Sequence, residues 1–450
     1  MRVVIVGNGV AGIEAALELR AREPECEVTI VSEESDHFVS RTALMYVLSG
    51  QLSHRCIEPH ERDVYERMGF RRVRARAIGA GVGAHVLKIA GSDDIPYDRL
   101  LIACGSRPRP APWPGSERGG VGHFVTIQDL EWLERELHGG PGRTGRPPRA
   151  DAHLDKSDPQ SPYRKRPDAR AERGAPRRPV VIGGGLIGIE VVEVMLAMGL
   201  RPAFVIREDW FWPMALDARE AAWIADRLRA HGCDVRLGEE VVELAGDGCV
   251  RAVVTDKGNI DCDLVVVAIG VVPATEWLSG SAIERDPGGG IVVDASLRTS
   301  AKDVWAAGDC ASVLWHDGSR RPEQLWYTAR DQGRAAGRAL AGAPATYARG
   351  TIYNSAKLAG VEYTTVGQVA AGGERDFFFE ERGAVRSTTR ITTEEGRVLG
   401  FNLLGRRWDH SVLARFVEEH RSLDFVLAHL HEASFDTELV PPLRIPREAR

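Results

Sequence analysis

Two stretches of the chain repeat one hydrophobic pattern. Residues 2–20, RVVIVGNGVAGIEAALELR, and 179–199, PVVIGGGLIGIEVVEVMLAMG, each open on a run of β-branched apolar residues. Each run meets glycines spaced GxGxxG and passes into a stretch rich in helix formers. An unbroken apolar run suits a strand buried on both faces. The pattern predicts strand, tight turn and helix twice over, which makes two dinucleotide-binding units. Further strands are expected at 26–34, 98–106, 201–209, 233–237 and 262–273. Beyond residue 346 the pattern changes. The segments AVRSTTRITT and RVLGFNLLG alternate like antiparallel strands, and helical periodicity follows near 409–420 and 422–432. There Val412, Leu413 and Phe416 are the expected core positions.

The expected fold is therefore α/β: two Rossmann-like domains plus a C-terminal α+β domain. The expected boundaries are 1–117 and 271–345 for the first nucleotide domain, 118–270 for the second, and 346–450 for the last. Residues 139–178 break the pattern. They are rich in Pro, Gly and charge, with a basic excess and Leu154 as their one large aliphatic residue. Such a stretch buries too little apolar surface to offset its ordering entropy, so it reads as a disordered insertion. The functional alternative is a basic arm for an acidic partner.

Composition narrows the function. The chain has 450 residues, a formal charge of −6 and 43% hydrophobic residues. That suits several globular cores and gives no whole-chain drive toward nucleic acid. No apolar run approaches the roughly 18 residues of a membrane span, and the N-terminus lacks a signal-peptide pattern, so a cytoplasmic location is expected. Seven cysteines occur, with no CxxC or CxxxxC pair. A disulfide framework, a zinc ribbon and a close-spaced redox dithiol are therefore not expected. The C-terminal His420, His429 and His431 lack the companions a metal site needs.

In the first unit Gly7 allows the turn, Gly9 lets backbone approach a pyrophosphate, and Gly12 lets helix meet strand. The pyrophosphate then sits at a helix N-terminus. Glu33, 21 residues beyond Gly12, stands where an acid can accept both hydrogen bonds of a ribose diol. In the second unit the glycines are Gly183, Gly185 and Gly188. Arg207, at the corresponding strand end, can pair with the 2′-phosphate of NADPH. The alternative is that the adjacent Glu208 binds the ribose of NADH.

Four further motifs carry a resemblance. TSAKDVWAAGDCA (299–311) is similar to the second FAD motif of the pyridine-nucleotide-dependent flavoprotein reductases, the glutathione reductase-like two-dinucleotide-domain family. LLIACGSRP (100–108) resembles that family's linker motif, with Cys104 in place of the usual threonine and Gly105 after it. VVVAIGVVP (265–273), with Gly270, resembles the returning crossover. GGGLIGIE places Glu190 where the family has an acid beside the nicotinamide. The resemblance implies FAD on the first unit and NAD(P)H on the second, with Gly308 and Asp309 binding the ribityl chain.

The segment HFVSRTALMYVLSG (37–50) carries no cysteine. It resembles the cysteine-free branch of the family: ferredoxin and rubredoxin reductases and the flavin part of NAD(P)H nitrite reductase. That implies a flavin-side role for Arg41, with His37 or Phe38 where the branch has tyrosine. EQLWYTARDQGRAAGRAL (323–340) resembles the helix that meets the flavin pyrimidine edge, and places Trp326 near the flavin. Cys310, at an expected helix start, and Cys104 read as structural thiols. The expected activity is FAD-dependent NAD(P)H:acceptor oxidoreduction without a redox-active disulfide. The acceptor is a small redox protein or small molecule, and the protein a monomer or homodimer. Two alternatives stand beside it: a redox-sensing flavin-binding interaction protein, and an NAD(P)H oxidase giving hydrogen peroxide.

Overall fold

The computed structural model describes residues 1–138, 177–315, 318–369, 376–382, 386–435, 443 and 445. All but the last two residues of the basic stretch 139–178 lie outside that set. Contacts divide the chain into two compact units.

The first unit comprises 1–110, 123–150 and 270–349. At its centre is a five-stranded parallel sheet, in the order Val304–Ala306, Arg99–Ile102, Arg2–Val6, Glu27–Ser32 and Phe70–Arg74. Val3, Ile5, Leu100, Leu101, Ile102 and Ala306 are fully buried. This explains the unbroken apolar runs: parallel strands covered on both faces need no polar alternation. Helices Val10–Arg22 and Trp326–Leu340 cross at their small residues. A Cβ on Gly333 would lie 2.4 Å from the Ala11 carbonyl oxygen, and one on Gly337 2.6 Å from that of Ala15. Only hydrogen side chains permit that approach.

Helix Ile127–His138 also belongs to the first unit. Its first turn is held there by Glu34, whose side chain accepts from Ile127 N–H at 3.1 Å. The strands Ser106–Pro108 and Val271–Pro273 pair antiparallel, closing the sheet's return.

The second unit comprises 111–122, 151–269 and 350–450. Its parallel sheet runs Asp234–Leu237, Ala203–Ile206, Pro179–Ile182, Leu264–Val267 and Val121–Gly122. A separate antiparallel sheet runs Tyr353–Leu358, Val361–Gly367, Arg397–Leu404, Ser387–Glu394 and Asp376–Glu381. Helices His410–Glu418 and Leu423–His429 cover it. Leu413 and Phe416 are buried in that core beside Phe401 and Leu403, and Val412 packs against them partly exposed. The fold is thus α/β with two Rossmann-like sheets and a C-terminal α+β layer.

The second unit also buries charge. Arg390 and Glu220 are fully buried, with NH2 and Oε2 3.1 Å apart. Asn402 Nδ2 donates to the same carboxylate oxygen at 3.0 Å, and Asp217 N–H donates to it at 2.9 Å. Removing one partner would strand a buried charge, which costs several kcal/mol, about 3–5.

Candidate functional site

Each parallel sheet ends in the same turn. After Arg2–Val6 the chain passes Gly7, whose N–H donates to Val31 O at 2.8 Å. Gly7 has φ +113°, and a Cβ there would lie 2.1 Å from Ala103 O. The second turn repeats this: Gly183 N–H donates to Val205 O at 2.9 Å, φ is +115°, and a Cβ would lie 2.3 Å from Ala268 O. Gly12 and Gly188 each bring a helix against its own turn, 2.1 Å from the Gly7 and Gly183 carbonyl oxygens for an added Cβ.

Gly9 and Gly185 differ from their neighbours, because a Cβ on either would meet nothing within 4 Å. They are the N-caps of Val10–Arg22 and Leu186–Ala197. Neither cap supplies a side-chain acceptor, and neither first turn holds an acid. The helix N–H groups thus face open space with no intramolecular anion, which is the arrangement a pyrophosphate requires. The residues present fit dinucleotides at both turns.

Around the first turn the chain gathers polar groups. Asp309, in the turn after Val304–Ala306, accepts from Ser106 Oγ at 2.6 Å. Burial raises its carboxyl above the usual aspartate value, against the Ser106 hydroxyl and the Arg41 guanidinium. Arg41 donates through NH1 to Ser106 O at 2.9 Å and through Nε to Glu34 at 3.2 Å. Gly308 N–H donates to the buried Gln332 at 2.8 Å. Arg41, Ser106 and Asp309 therefore form one connected group. Gly105, with φ +70°, joins Cys104 to it. Glu33 is exposed just past Glu27–Ser32, and its carbonyl accepts from Arg74 Nε at 3.0 Å.

Trp326 opens helix Trp326–Leu340, whose N-cap Leu325 offers no side-chain acceptor. Its indole Nε1 is buried without a hydrogen-bond partner. Cys310 does not start a helix as expected. It lies in a turn running directly into strand Ala311–Leu314, because Ile291–Val292 pairs with that strand at once.

In the second unit Glu190 lies one turn into Leu186–Ala197, and burial raises its carboxyl to about 7. Glu193, one turn further, is raised to about 8 by burial. Its Oε1 accepts from Gly360 N–H at 3.0 Å. Arg207 follows strand Ala203–Ile206, with its side chain 72% exposed and its NH2 2.9 Å from Glu208 Oε1. Gly270, with φ +100°, lies between Leu264–Val267 and Val271–Pro273. Sequence reasoning missed Ser106, Glu34, Gln332 and Glu193. Ser106 stands inside the quoted linker motif, Gln332 inside the quoted segment 323–340 and Glu193 inside 179–199, and of these three only Ser106 adjoins a residue that its motif singles out as a site residue.

Two Rossmann turns of one geometry, the first beside a hydrogen-bonded Ser–Asp–Arg group, define a two-dinucleotide flavoprotein. The chain belongs to the pyridine nucleotide-disulphide oxidoreductase family, whose profile matches residues 1–333. It is a FAD-dependent NAD(P)H oxidoreductase.

The chain is 26% identical over 425 residues to the NADH-dependent phenylglyoxylate dehydrogenase subunit epsilon of Aromatoleum evansii, covering 92% of this chain and 91% of that one. It is 26% identical over 427 residues to the ferredoxin reductase component of chlorobenzene dioxygenase from Cupriavidus sp., covering 94% and 93%. The fold matches putidaredoxin reductase in its covalent complex with putidaredoxin, with TM-score 0.77, 22% identity and 93% of each chain covered. No helix among the described residues is long and apolar enough to cross a membrane.

Proposed function

We propose that the protein carries electrons from NAD(P)H to a small iron–sulfur protein of ferredoxin type. The observation that carries this is the pair of open, uncapped turns at Gly9 and Gly185, combined with a cysteine-free segment 37–50. The ferredoxin reductase component among the relatives supports that class of acceptor. When bound, FAD accepts a hydride from the nicotinamide and can release electrons singly or in pairs, which suits a one-electron acceptor.

The chain's own groups then have distinct tasks. The N–H groups after Gly7 and Gly9 would hold the FAD pyrophosphate, Gly12 lets the helix come close behind the turn, and Glu33 would accept from the adenosine ribose. Asp309, with Gly308 beside it, accepts hydrogen bonds from the ribityl hydroxyls, and Ser106 and Arg41 fix the carboxylate's orientation. Cys104 and Gly105 shape the strand end behind them. The uncapped N-terminus at Trp326 would favour negative charge on the bound flavin, and Trp326 would be the aromatic contact beside it. Gly183, Gly185 and Gly188 would hold the nicotinamide nucleotide, with Glu190 as the acid toward the nicotinamide and Gly270 as the open backbone of the crossover.

The donor is NADPH ahead of NADH. Arg207 is the cation for a 2′-phosphate, and its exposed pair with Glu208 is worth under about 1 kcal/mol. A phosphate dianion can therefore take the guanidinium from Glu208 at little cost.

The test is an anaerobic titration of the purified protein with NADPH and with NADH, followed by steady-state turnover with a two-iron ferredoxin. Prompt loss of the oxidised-flavin absorbance and ferredoxin reduction faster than oxygen consumption are expected. A bound flavin that neither nucleotide reduces would overturn the proposal in favour of a binding protein. Oxygen consumption outpacing ferredoxin reduction would replace it with an oxidase.

A further inference from the structure

The first unit carries a cavity of about 410 Å³ that no step of the electron route uses. Strands Arg99–Ile102 and Val304–Ala306 start at it, through Arg99 and Val304, and helix Trp326–Leu340 ends at it, through Ala339. The two strands run in parallel and lead, at their other ends, to Ser106 and Asp309. The cavity and the flavin-side group therefore lie at opposite ends of one sheet. A strand of four residues separates them, roughly 13 Å. The rest of the wall is the loop 298–303, RTSAKD.

Three cations line the cavity, Arg99, Arg298 and Lys302, against one acid, Asp303. Asp303 Oδ2 has a cation of its own within reach, His85 Nε2 at 4.0 Å. Arg99 is fixed in place: its NH1 donates to Leu340 O, and its guanidinium lies 5.9 Å from the centre of the Trp305 ring. Arg298 and Lys302 are exposed, and among the described residues neither side chain takes part in a hydrogen bond or ion pair. Other arginines of the same unit, such as Arg2, Arg62 and Arg334, pair with acids. At this loop the charge is left without a counter-ion.

Donors are left open as well. Thr299 N–H donates to Val304 O at 2.9 Å, and Ala301 N–H donates to Thr299 Oγ1 at 3.1 Å. The N–H groups of Ser300, Lys302 and Asp303 meet no acceptor among the described residues. Asp303 has φ +62°, and a turn through that region is one way successive N–H groups come to surround an anion. The lining Trp305 is only 5% exposed, and its indole Nε1 has no hydrogen-bond partner. A buried donor without an acceptor is costly, so it marks a place for one. The loop is held ready: Ser300 Oγ accepts from Glu284 N–H at 2.8 Å and donates to Ala282 O at 3.2 Å.

We propose that this cavity is a binding site for a small phosphorylated molecule. Arg298, Lys302 and the open N–H groups of the loop hold its phosphate, with Arg99 as the fixed third cation. A phosphate dianion has the charge and the three acceptor oxygens to meet several cations and several N–H groups together. A carboxylate brings one charge and two oxygens. The volume lies within the range of about 300–1,000 Å³ for small-molecule sites, which leaves room for an organic remainder. The site is distinct from both nucleotide turns.

The experiment is equilibrium dialysis of the flavin-loaded protein, with excess NADP⁺, against radiolabelled inorganic phosphate. Saturable binding at millimolar phosphate is expected, and sodium chloride of equal ionic strength should not displace it. The double variant Arg298→Ser, Lys302→Ser should bind one phosphate per chain fewer, its affinity at this cavity falling by about tenfold or more. Both positions are exposed, so its melting temperature should match that of wild type and show that it is folded. Equal binding by wild type and the double variant would overturn the proposal. So would the absence of saturable binding. Displacement by chloride at equal ionic strength would also overturn it, by showing an unselective charged surface. The count is a difference between two proteins, so it stands whether or not the second turn takes a nucleotide.

Discussion

Ser106 Oγ donates to Asp309 Oδ2 at 2.6 Å, joining two strand ends that lie 203 positions apart in sequence. Arg41 NH1 holds the carbonyl of the same serine at 2.9 Å. The carboxylate is therefore fixed before any ligand arrives, so little ordering entropy remains to be lost on binding. Asp309→Ala should lower FAD affinity by about tenfold to a hundredfold, the worth of one or two charge-assisted hydrogen bonds. Ser106→Ala should cost less, because it removes only the group that orients the carboxylate. Flavin content per protein after extended dialysis measures both. Equal retention in wild type and Asp309→Ala would remove the ribityl role from this residue.

Glu193 and Glu190 predict a pH dependence of stability. Burial holds their folded values at about 8 and about 7, against 4.5 for the ordinary group. The folded chain therefore keeps protons that the unfolded chain releases, and folding takes up protons between about pH 4.5 and 8. Stability falls as pH rises through this window. Gly360 N–H, at 3.0 Å from Glu193, and Lys357 act in the opposite sense but do not outweigh burial. Glu193→Gln keeps a carbonyl oxygen for Gly360 and cannot ionise. Its melting temperature should fall less than that of wild type between about pH 5 and 8. Parallel slopes for the two proteins would show that Glu193 does not titrate there.

The crossing of Val10–Arg22 with Trp326–Leu340 has no spare volume. An added methyl at Gly333 would meet the Ala11 backbone at 2.4 Å, and backbone cannot rotate away. Gly333→Ala should force the helices apart and cost about 3 kcal/mol, the upper part of the range for overpacking. Gly9→Ala, with no atom within 4 Å of its Cβ, should leave stability within about 1 kcal/mol, while obstructing the ligand side of the turn. Thermal unfolding of the flavin-free proteins separates the two. Similar melting temperatures would mean that the crossing tolerates a shift.

The contrast between those glycines shows what the sequence could convey. Gly7, Gly12, Gly183 and Gly188 are set by local spacing, since each meets backbone within its own strand–turn–helix or the neighbouring strand. The parallel strands were legible because their continuous apolar runs report burial on both faces. Contacts across long separations were not. Nothing local to Glu193 marks it as a cap on the Ala359–Gly360 turn, and nothing near Arg390 announces Glu220, 170 positions away. The helix start expected at Cys310 failed for the same reason. The turn there is claimed by strand pairing with Ile291–Val292, a partner that local composition does not reveal.

We propose that Arg207 and Glu208 set the donor preference between them. Their side chains pair at 2.9 Å at the end of Ala203–Ile206, where the second nucleotide's ribose is expected. With Arg207 free to turn, the site offers a cation to a 2′-phosphate. With Glu208 free, it offers a carboxylate to a diol. Arg207→Glu removes the cation and places two acids together, so the phosphate dianion meets repulsion instead of a pair. The ratio of kcat/KM for NADPH over NADH should fall by about tenfold or more, and most of the change should lie in the NADPH term. Glu208→Gln should move the ratio the other way by a smaller factor, because Arg207 then loses its competing partner. Steady-state kinetics with both donors and one artificial acceptor would measure the two shifts. An unchanged ratio in Arg207→Glu would mean that the phosphate is read elsewhere on the strand end.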